Sequence, residues 1–354
     1  MNARAAWGLW PVIAAISLGA QQQESVKLGL LVPGGDLGLA AMRGAEMAVE
    51  AANRDGGFRG RPFELVVRSV EGPWGSGSNE ITALVFQESV WAILGPLHGR
   101  SAHLAEQVVA KGHVALVSPW ASDPTLTQAN VPWFFRCVPD DRQQAAALVR
   151  EILVVQRLDR VMAVVADSYD ARVAADAFAA EAGPSQLVRR PLPETVEDLD
   201  SLLTRLEDEE VQGIVLFGQG STTGELMLRL RARRLPQRLF ATLSSADLAL
   251  RGSKRSDLEE LVVVAPGHWV TAEGRAFERA FRAAYDHAPA AVSAYAYDGL
   301  MVIVEAVRRA GLDRQRIRDA LADIDYGRGV TGRVRFDDRG NRVADVELIE
   351  IAHR

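Results

Sequence analysis

The segment that decides the fold begins G-P-L-H-G-R-S at residues 95–101 and ends V-A-L-V-S-P-W-A-S-D-P-T-L-T at 114–127. Two short apolar runs, 91–94 and 114–117, read as strands, and each runs into a loop of Gly, Ser or Pro. A helical stretch, 101–111, joins them. Strand, loop, helix, strand is the unit of a parallel sheet, and in such sheets ligands sit beyond the carboxyl ends of the strands, at helix N-termini. Two such ends close together, both rich in glycine and hydroxyl residues, predict one wall of a small-molecule cleft.

The same alternation extends in both directions. Upstream, 26–32 reads as a strand, 39–52 as a helix stopped by Asp55-Gly56-Gly57, 63–70 as a strand and 80–87 as a helix. Downstream, strands are predicted at 161–166, 187–192, 213–217, 239–243 and 261–265, with helices at 143–155, 171–181, 199–208 and 223–233. Three helices follow, 272–286, 293–310 and 314–324, and then two strands, 333–337 and 345–351, around the turn Asp338-Arg339-Gly340-Asn341. These are too many strands for one sheet, and 354 residues suffice for two domains. The fold class expected is α/β, with two doubly wound parallel-sheet lobes. No repeat and no low-complexity tract interrupts them.

Composition narrows the function. With 40 Lys+Arg against 46 Asp+Glu the net charge is −6, which disfavours a nucleic-acid surface. Cys137 is the single cysteine, so no internal disulfide is expected, and its apolar setting marks it as structural. Residues 1–20 have a basic start, an apolar run from 5 to 18 and small Gly19-Ala20, the pattern of a cleaved export signal. Without a cysteine near the cut, a lipid anchor is not expected, and a periplasmic location is.

Sites of chemistry are not assembled. The turn 33–38 lacks the spacing of a dinucleotide fingerprint, and there is neither a phosphate-loop motif nor a Gly-x-Ser-x-Gly elbow. His98 and His103 lack metal-ligand spacing. Neither cofactor nor metal is implied, and an enzyme is not expected.

Five phrases recur in a fixed order: G-A-E-M-A-V-E-A-A-N-R-D-G-G (44–57), I-L-G-P-L (93–97), V-S-P-W-A-S-D-P-T-L-T (117–127), Y-A-Y-D-G (295–299) and G-V-T-G-R-V-R-F-D-D-R-G-N (329–341). Together they resemble the leucine/isoleucine/valine-binding family of periplasmic substrate-binding proteins of ABC importers, over about residues 26–351. The resemblance implies a type I fold, two lobes joined by three hinge crossovers near 134–140, 265–270 and 326–330. The lobes would be 25–138 with 268–326, and 139–267 with 327–354. It implies a monomer that traps a small-molecule ligand between its lobes and passes it to an ABC-type permease.

The resemblance places the ligand contacts at His98, Gly99, Arg100, Ser101, Trp120, Ala121 and Ser122 in the first lobe. In the second lobe it places them at Tyr169, where the match slips between Tyr169 and Asp170, and at Gln219 and Ser244. Several depart from the family pattern. Gly99 stands where serine is usual, Trp120 where a small residue is common, and Gln219 where an aromatic is expected. Ser244 falls where an acid would hold an ammonium group, with Asp247 three residues on. Losing that acid turns the expectation from an aliphatic amino acid toward an anion held by His98 and Arg100, with Trp120 against a flat or apolar part. A ligand sensor built on the same trap is the alternative expectation.

Overall fold

The computed structural model describes residues 24–70, 76–183, 185–193, 195–208, 210–219, 221–233, 235–245 and 259–351. The expected export signal lies outside them. Two main sheets carry the chain. In the first, β1 (Val26–Val32), β2 (Phe63–Ser69), β3 (Ala92–Leu94), β4 (Ala115–Ser118) and β5 (Phe134–Arg136) lie side by side in the order β2-β1-β3-β4-β5, all parallel. In the second, β6 (Val161–Val165), β7 (Leu187–Pro191), β8 (Gly213–Phe217), β9 (Arg238–Ala241) and β10 (Val262–Val264) are parallel in the order β10-β9-β8-β6-β7. Leu348–Glu350 closes the β10 edge antiparallel.

Both orders reverse direction beside the first strand of the sheet, the topology that opens a crevice at the carboxyl ends of strands. The central strands β3, β4, β6 and β8 are buried along their whole length. Helices covering both faces explain why these strands read as unbroken apolar runs.

Helices pack by size of side chain. The helix α1 (Gly35–Arg54) buries Ala40, Ala41, Gly44, Ala45, Ala48 and Ala52, and faces the helix Ala291–Ala310, buried along most of its length. A Cβ on Gly44 would stand 2.0 Å from the Ser293 carbonyl oxygen, so only glycine permits this approach. Ser293 Oγ seals the contact by donating to the Ala40 carbonyl at 2.8 Å. Thus the phrase 44–57 approaches the helix that carries the phrase 295–299 through small residues.

The helices leading from the strand ends matter most for function. They are α2 (Ser76–Thr82), α3 (Gly99–Gly112), α4 (Asp141–Val149), α5 (Tyr169–Ala182), α6 (Val196–Asp208) and α7 (Ser221–Ala232). The predicted helix at 80–87 is instead the end of α2 followed by a wider π-turn, Ala83–Gln87. Among the described residues no helix is long and apolar enough to cross a membrane.

Between the sheets the chain is stitched by buried polar groups. The Asp298 carboxylate accepts from the Val330 and Thr331 backbone N–H groups, 2.8 Å each, and from the Thr331 hydroxyl at 2.5 Å. The Arg342 guanidinium donates to Cys137 O, Thr331 Oγ1 and Thr331 O at 2.8–2.9 Å. Thr271 Oγ1 donates to Val330 O at 2.6 Å. One cluster therefore ties residues 137, 271 and 330–331, one from each segment that links the sheets. The burial of Asp298 is affordable because both oxygens are satisfied.

Candidate functional site

The site is built from four strand ends. After β3 come Gly95 to His98 and the start of α3; after β4 come Pro119 to Asp123. Ser118, the last residue of β4 and fully buried, fastens the two loops. Its hydroxyl donates to the Pro96 carbonyl at 2.7 Å and accepts from Ala121 N–H at 3.0 Å. Gly95 takes φ +106°, and a Cβ there would meet Leu31 O at 2.1 Å, so the tight exit from β3 requires glycine.

Asp123 sits at the end of the second loop with its side chain fully buried. Its Oδ1 accepts from the Thr125 backbone N–H at 2.8 Å and hydroxyl at 2.6 Å, capping the short helix Pro124–Thr127. Its Oδ2 accepts from His103 Nε2 at 2.9 Å and the Tyr169 hydroxyl at 2.8 Å. Burial works against the charge, but bonds from His103, Thr125 and Tyr169 outweigh it and hold the carboxyl well below the usual range. The bond to Asp123, helped by Glu106, lifts His103 to about 9, so the pair is ionic at neutral pH. Behind Asp123 the buried Arg136 donates to Asp123 O at 2.6 Å and Asn341 Oδ1 at 2.8 Å.

On the second sheet, β6 runs through Ala166 to Ser168, whose hydroxyl caps α5 by accepting from Ala171 N–H. Tyr169 and Asp170 open the helix and both reach the first lobe. The Asp170 carboxylate accepts from Gly99 N–H at 2.9 Å through Oδ1, and its Oδ2 lies 3.1 Å from His98 Nδ1. The Arg100 guanidinium lies over the Tyr169 ring, 5.3 Å from its centroid. After β8, Gln219 brings its amide nitrogen within 3.3 Å of His98 Nδ1, while its Oε1 is buried without a partner. The Gly218 N–H donates to Ser245 Oγ at 3.0 Å, fixing that loop against the end of β9.

The structure thus brings His98, Gly99, Arg100, Tyr169 and Gln219 into one cluster. Ser101 lies half-buried in the first turn of α3. Trp120 is buried and packs edge-on against Tyr295, 6.0 Å between rings. Ala121 is buried, and the Ser122 carbonyl accepts from Asp141 N–H at 2.9 Å. Ser244 is half-buried beside Thr242, 3.2 Å between hydroxyls. Tyr169 and Asp170, between which the match slips, each hold a separate first-lobe partner.

Sequence reasoning missed Ser118, His103 and Asp123 as organisers, and reached Asp170 only as the alternative to Tyr169. Only Asp123 carried a signal: an Asp-Pro pair one residue after the expected hydroxyl reads as a helix cap. Asp141, buried against Ser122, is a further acid; burial pushes it up to about 7, the Ser122 bond opposing. Among the described residues no cluster of three or more His, Cys, Asp or Glu could hold a metal ion.

The geometry can be set beside known proteins. The family model described as periplasmic binding protein matches residues 25–351. The Leu/Ile/Val-binding protein BraC3 of Rhizobium johnstonii is 26% identical over 225 residues, 62% of this chain. The chain spans 61% of that relative's length. The chemotactic signal transduction system substrate-binding protein BasB of Halobacterium salinarum is 34% identical over 138 residues, 36% of this chain and 33% of its own length. The leucine-, isoleucine-, valine-, threonine- and alanine-binding protein of Pseudomonas aeruginosa is 22% identical over 312 residues, 84% of this chain and 81% of its own.

Two solved structures show the same fold. The branched-chain amino acid transporter substrate-binding protein LivJ of Streptococcus pneumoniae, in complex with isoleucine, superposes with TM-score 0.77 at 24% identity, covering 90% of this chain and 94% of its own. A solute-binding protein from R. palustris, in complex with benzoate, gives TM-score 0.80 at 19% identity, covering 93% of each chain. The two-lobed type I fold expected from the sequence is therefore the fold found. The family and these neighbours are described as binding proteins. The chain belongs to the periplasmic binding protein family.

Proposed function

We propose that the chain is an extracytoplasmic solute-binding protein. It captures a small polar or amphipathic ligand between its lobes, an amino acid or a related carboxylate or amide, and delivers it to an ABC permease. One observation carries the reading: loops from four strand ends, two on each sheet, meet and touch through His98, Gly99, Asp123, Tyr169, Asp170 and Gln219. The lobes are 25–138 with 268–326 and 139–267 with 327–354, and the segment 327–342 straps them at the hinge. A ligand contacting both lobes favours the closed form by its differential affinity.

The ligand-facing residues on this reading are His98 to Ser101, Trp120 to Ser122, Tyr169, Gln219 and Ser244. Related proteins carrying isoleucine and benzoate bracket the chemical class. Thermal unfolding against a panel of amino acids, amides and aromatic acids tests it. A bound solute raises Tm by mass action, roughly 2.7 kcal/mol at a hundredfold excess over Kd. Arg100→Ala and Gln219→Ala, both outside the core, should erase the rise; a flat panel sinks the reading.

A second reading, a sensor that presents its loaded form to a signalling partner, is favoured by the likeness to the chemotactic protein BasB. Cross-linking of the loaded protein to a reconstituted permease separates the two. The export signal at 1–20 is checked by sequencing the N-terminus of the mature protein. Sedimentation of the purified chain tests the monomer.

A further inference from the structure

The first turn of α3 contains no acidic residue of its own, and its N-cap, His98, makes no side-chain cap bond. Helix starts leave N–H groups without intrahelical partners and carry partial positive charge. Here a carboxylate does serve that end, and it comes from the opposite lobe. Asp170 takes Gly99 N–H on one oxygen at 2.9 Å and stands 3.1 Å from His98 Nδ1 with the other. A forked grip of two donors on one carboxylate is what an anionic ligand group would need at the same place. Gly99 makes room for it: a Cβ there would lie 2.8 Å from Asp170 Oδ1 and 3.2 Å from Tyr169 Cε1.

We propose that Asp170 is the specificity-determining residue of this cleft. Its carboxylate holds the donors at the start of α3, so a ligand carboxylate reaches them only by displacing it. The inference rests on the cleft being the ligand site. It revises the expectation that His98 recruits an anion, since His98 already faces one. A ligand that presents a neutral or cationic group at this end keeps Asp170 in place and gains a carboxylate partner. A ligand that presents a carboxylate there meets like charge. The same contact latches the lobes, because Asp170 belongs to α5 and Gly99 to α3.

Two readouts on the full chain test this, with Asp170→Ala and Asp170→Asn. The first is the inter-lobe distance distribution by single-molecule fluorescence transfer, without added solute. Both variants should shift the population toward open; an unchanged distribution overturns the latch and with it the proposal. The second is calorimetric titration with benzoate, a carboxylate that carries no ammonium group. Asp170→Ala should bind it at least tenfold more tightly than wild type, and Asp170→Asn should gain in the same direction. Unchanged or weaker benzoate binding by both variants overturns the assignment, leaving Asp170 a mere inter-lobe contact. Since the distance readout needs no ligand, failure of the solute-binding reading shows separately, as a flat response of wild type to the whole solute panel. Retained thermal unfolding of the variants certifies their fold.

Discussion

The Tyr169 hydroxyl donates to Asp123 Oδ2 across the cleft at 2.8 Å, joining the first residue of α5 to the loop after β4. Asp123 has three other hydrogen bonds within its own lobe, so it loses little on opening. Tyr169→Phe therefore acts on closure and not on folding. A hydrogen bond to a charged acceptor contributes about 1.5 kcal/mol, or roughly tenfold in an equilibrium. The open population should rise about tenfold by inter-lobe fluorescence transfer, with Tm nearly unchanged.

Gly99→Ala is a steric probe of the same contact. Its added methyl would meet Asp170 Oδ1 and Tyr169 Cε1 from the second lobe in the closed form, and Asp123 Cβ, 3.0 Å away, in its own lobe. In the open form the two second-lobe neighbours withdraw while Asp123 stays. Small-angle scattering should report a larger radius of gyration for the variant, with an unfolding midpoint in urea only slightly lowered by the remaining contact.

The His103–Asp123 pair predicts a pH dependence. His103 is held at about 9, above its ordinary 6.5, so its stabilising contribution is complete below pH 6.5 and is lost as pH rises toward 9. The Asp123 carboxyl is depressed, so its contribution is present above pH 3.8 and is lost in more acid solution. Buried His268, pushed down to about 4, adds an opposing cost as pH falls below 6.5. The difference in Tm between wild type and His103→Gln isolates the pair. It should be largest near pH 6 and shrink steadily to pH 9.

At the hinge, Asp298 holds the turn at 330–331 by three bonds. Asp298→Asn turns one acceptor into a donor facing N–H and O–H groups. The expected cost is about 1–3 kcal/mol, the penalty for unsatisfied buried donors. Limited proteolysis should cut within 327–333 faster in the variant than in wild type.

Much of the fold was legible because parallel strands buried on both faces leave unbroken apolar runs, as 91–94 and 114–117 do. Asp298, within the phrase 295–299, reaches the third linking segment. The site was legible only by its loops. Gly99, Tyr169 and Gln219 meet because two lobes fold toward one another, a relation of residues some 70 and 120 positions apart. No periodicity encodes such pairs. His103 read as an ordinary helix residue because its partner Asp123 lies 20 positions on, beyond any helical spacing. Trp120 packs edge-on against Tyr295, a contact across the chain that local sequence does not carry.

The central claim, a solute held between two lobes, is tested most directly by amide hydrogen exchange of the whole chain with and without a saturating solute that raises its Tm. Slower exchange is predicted together at 97–101 and 119–122 in one lobe and at 168–170 and 218–219 in the other. Protection confined to one lobe, or lying away from these four loops, would contradict it.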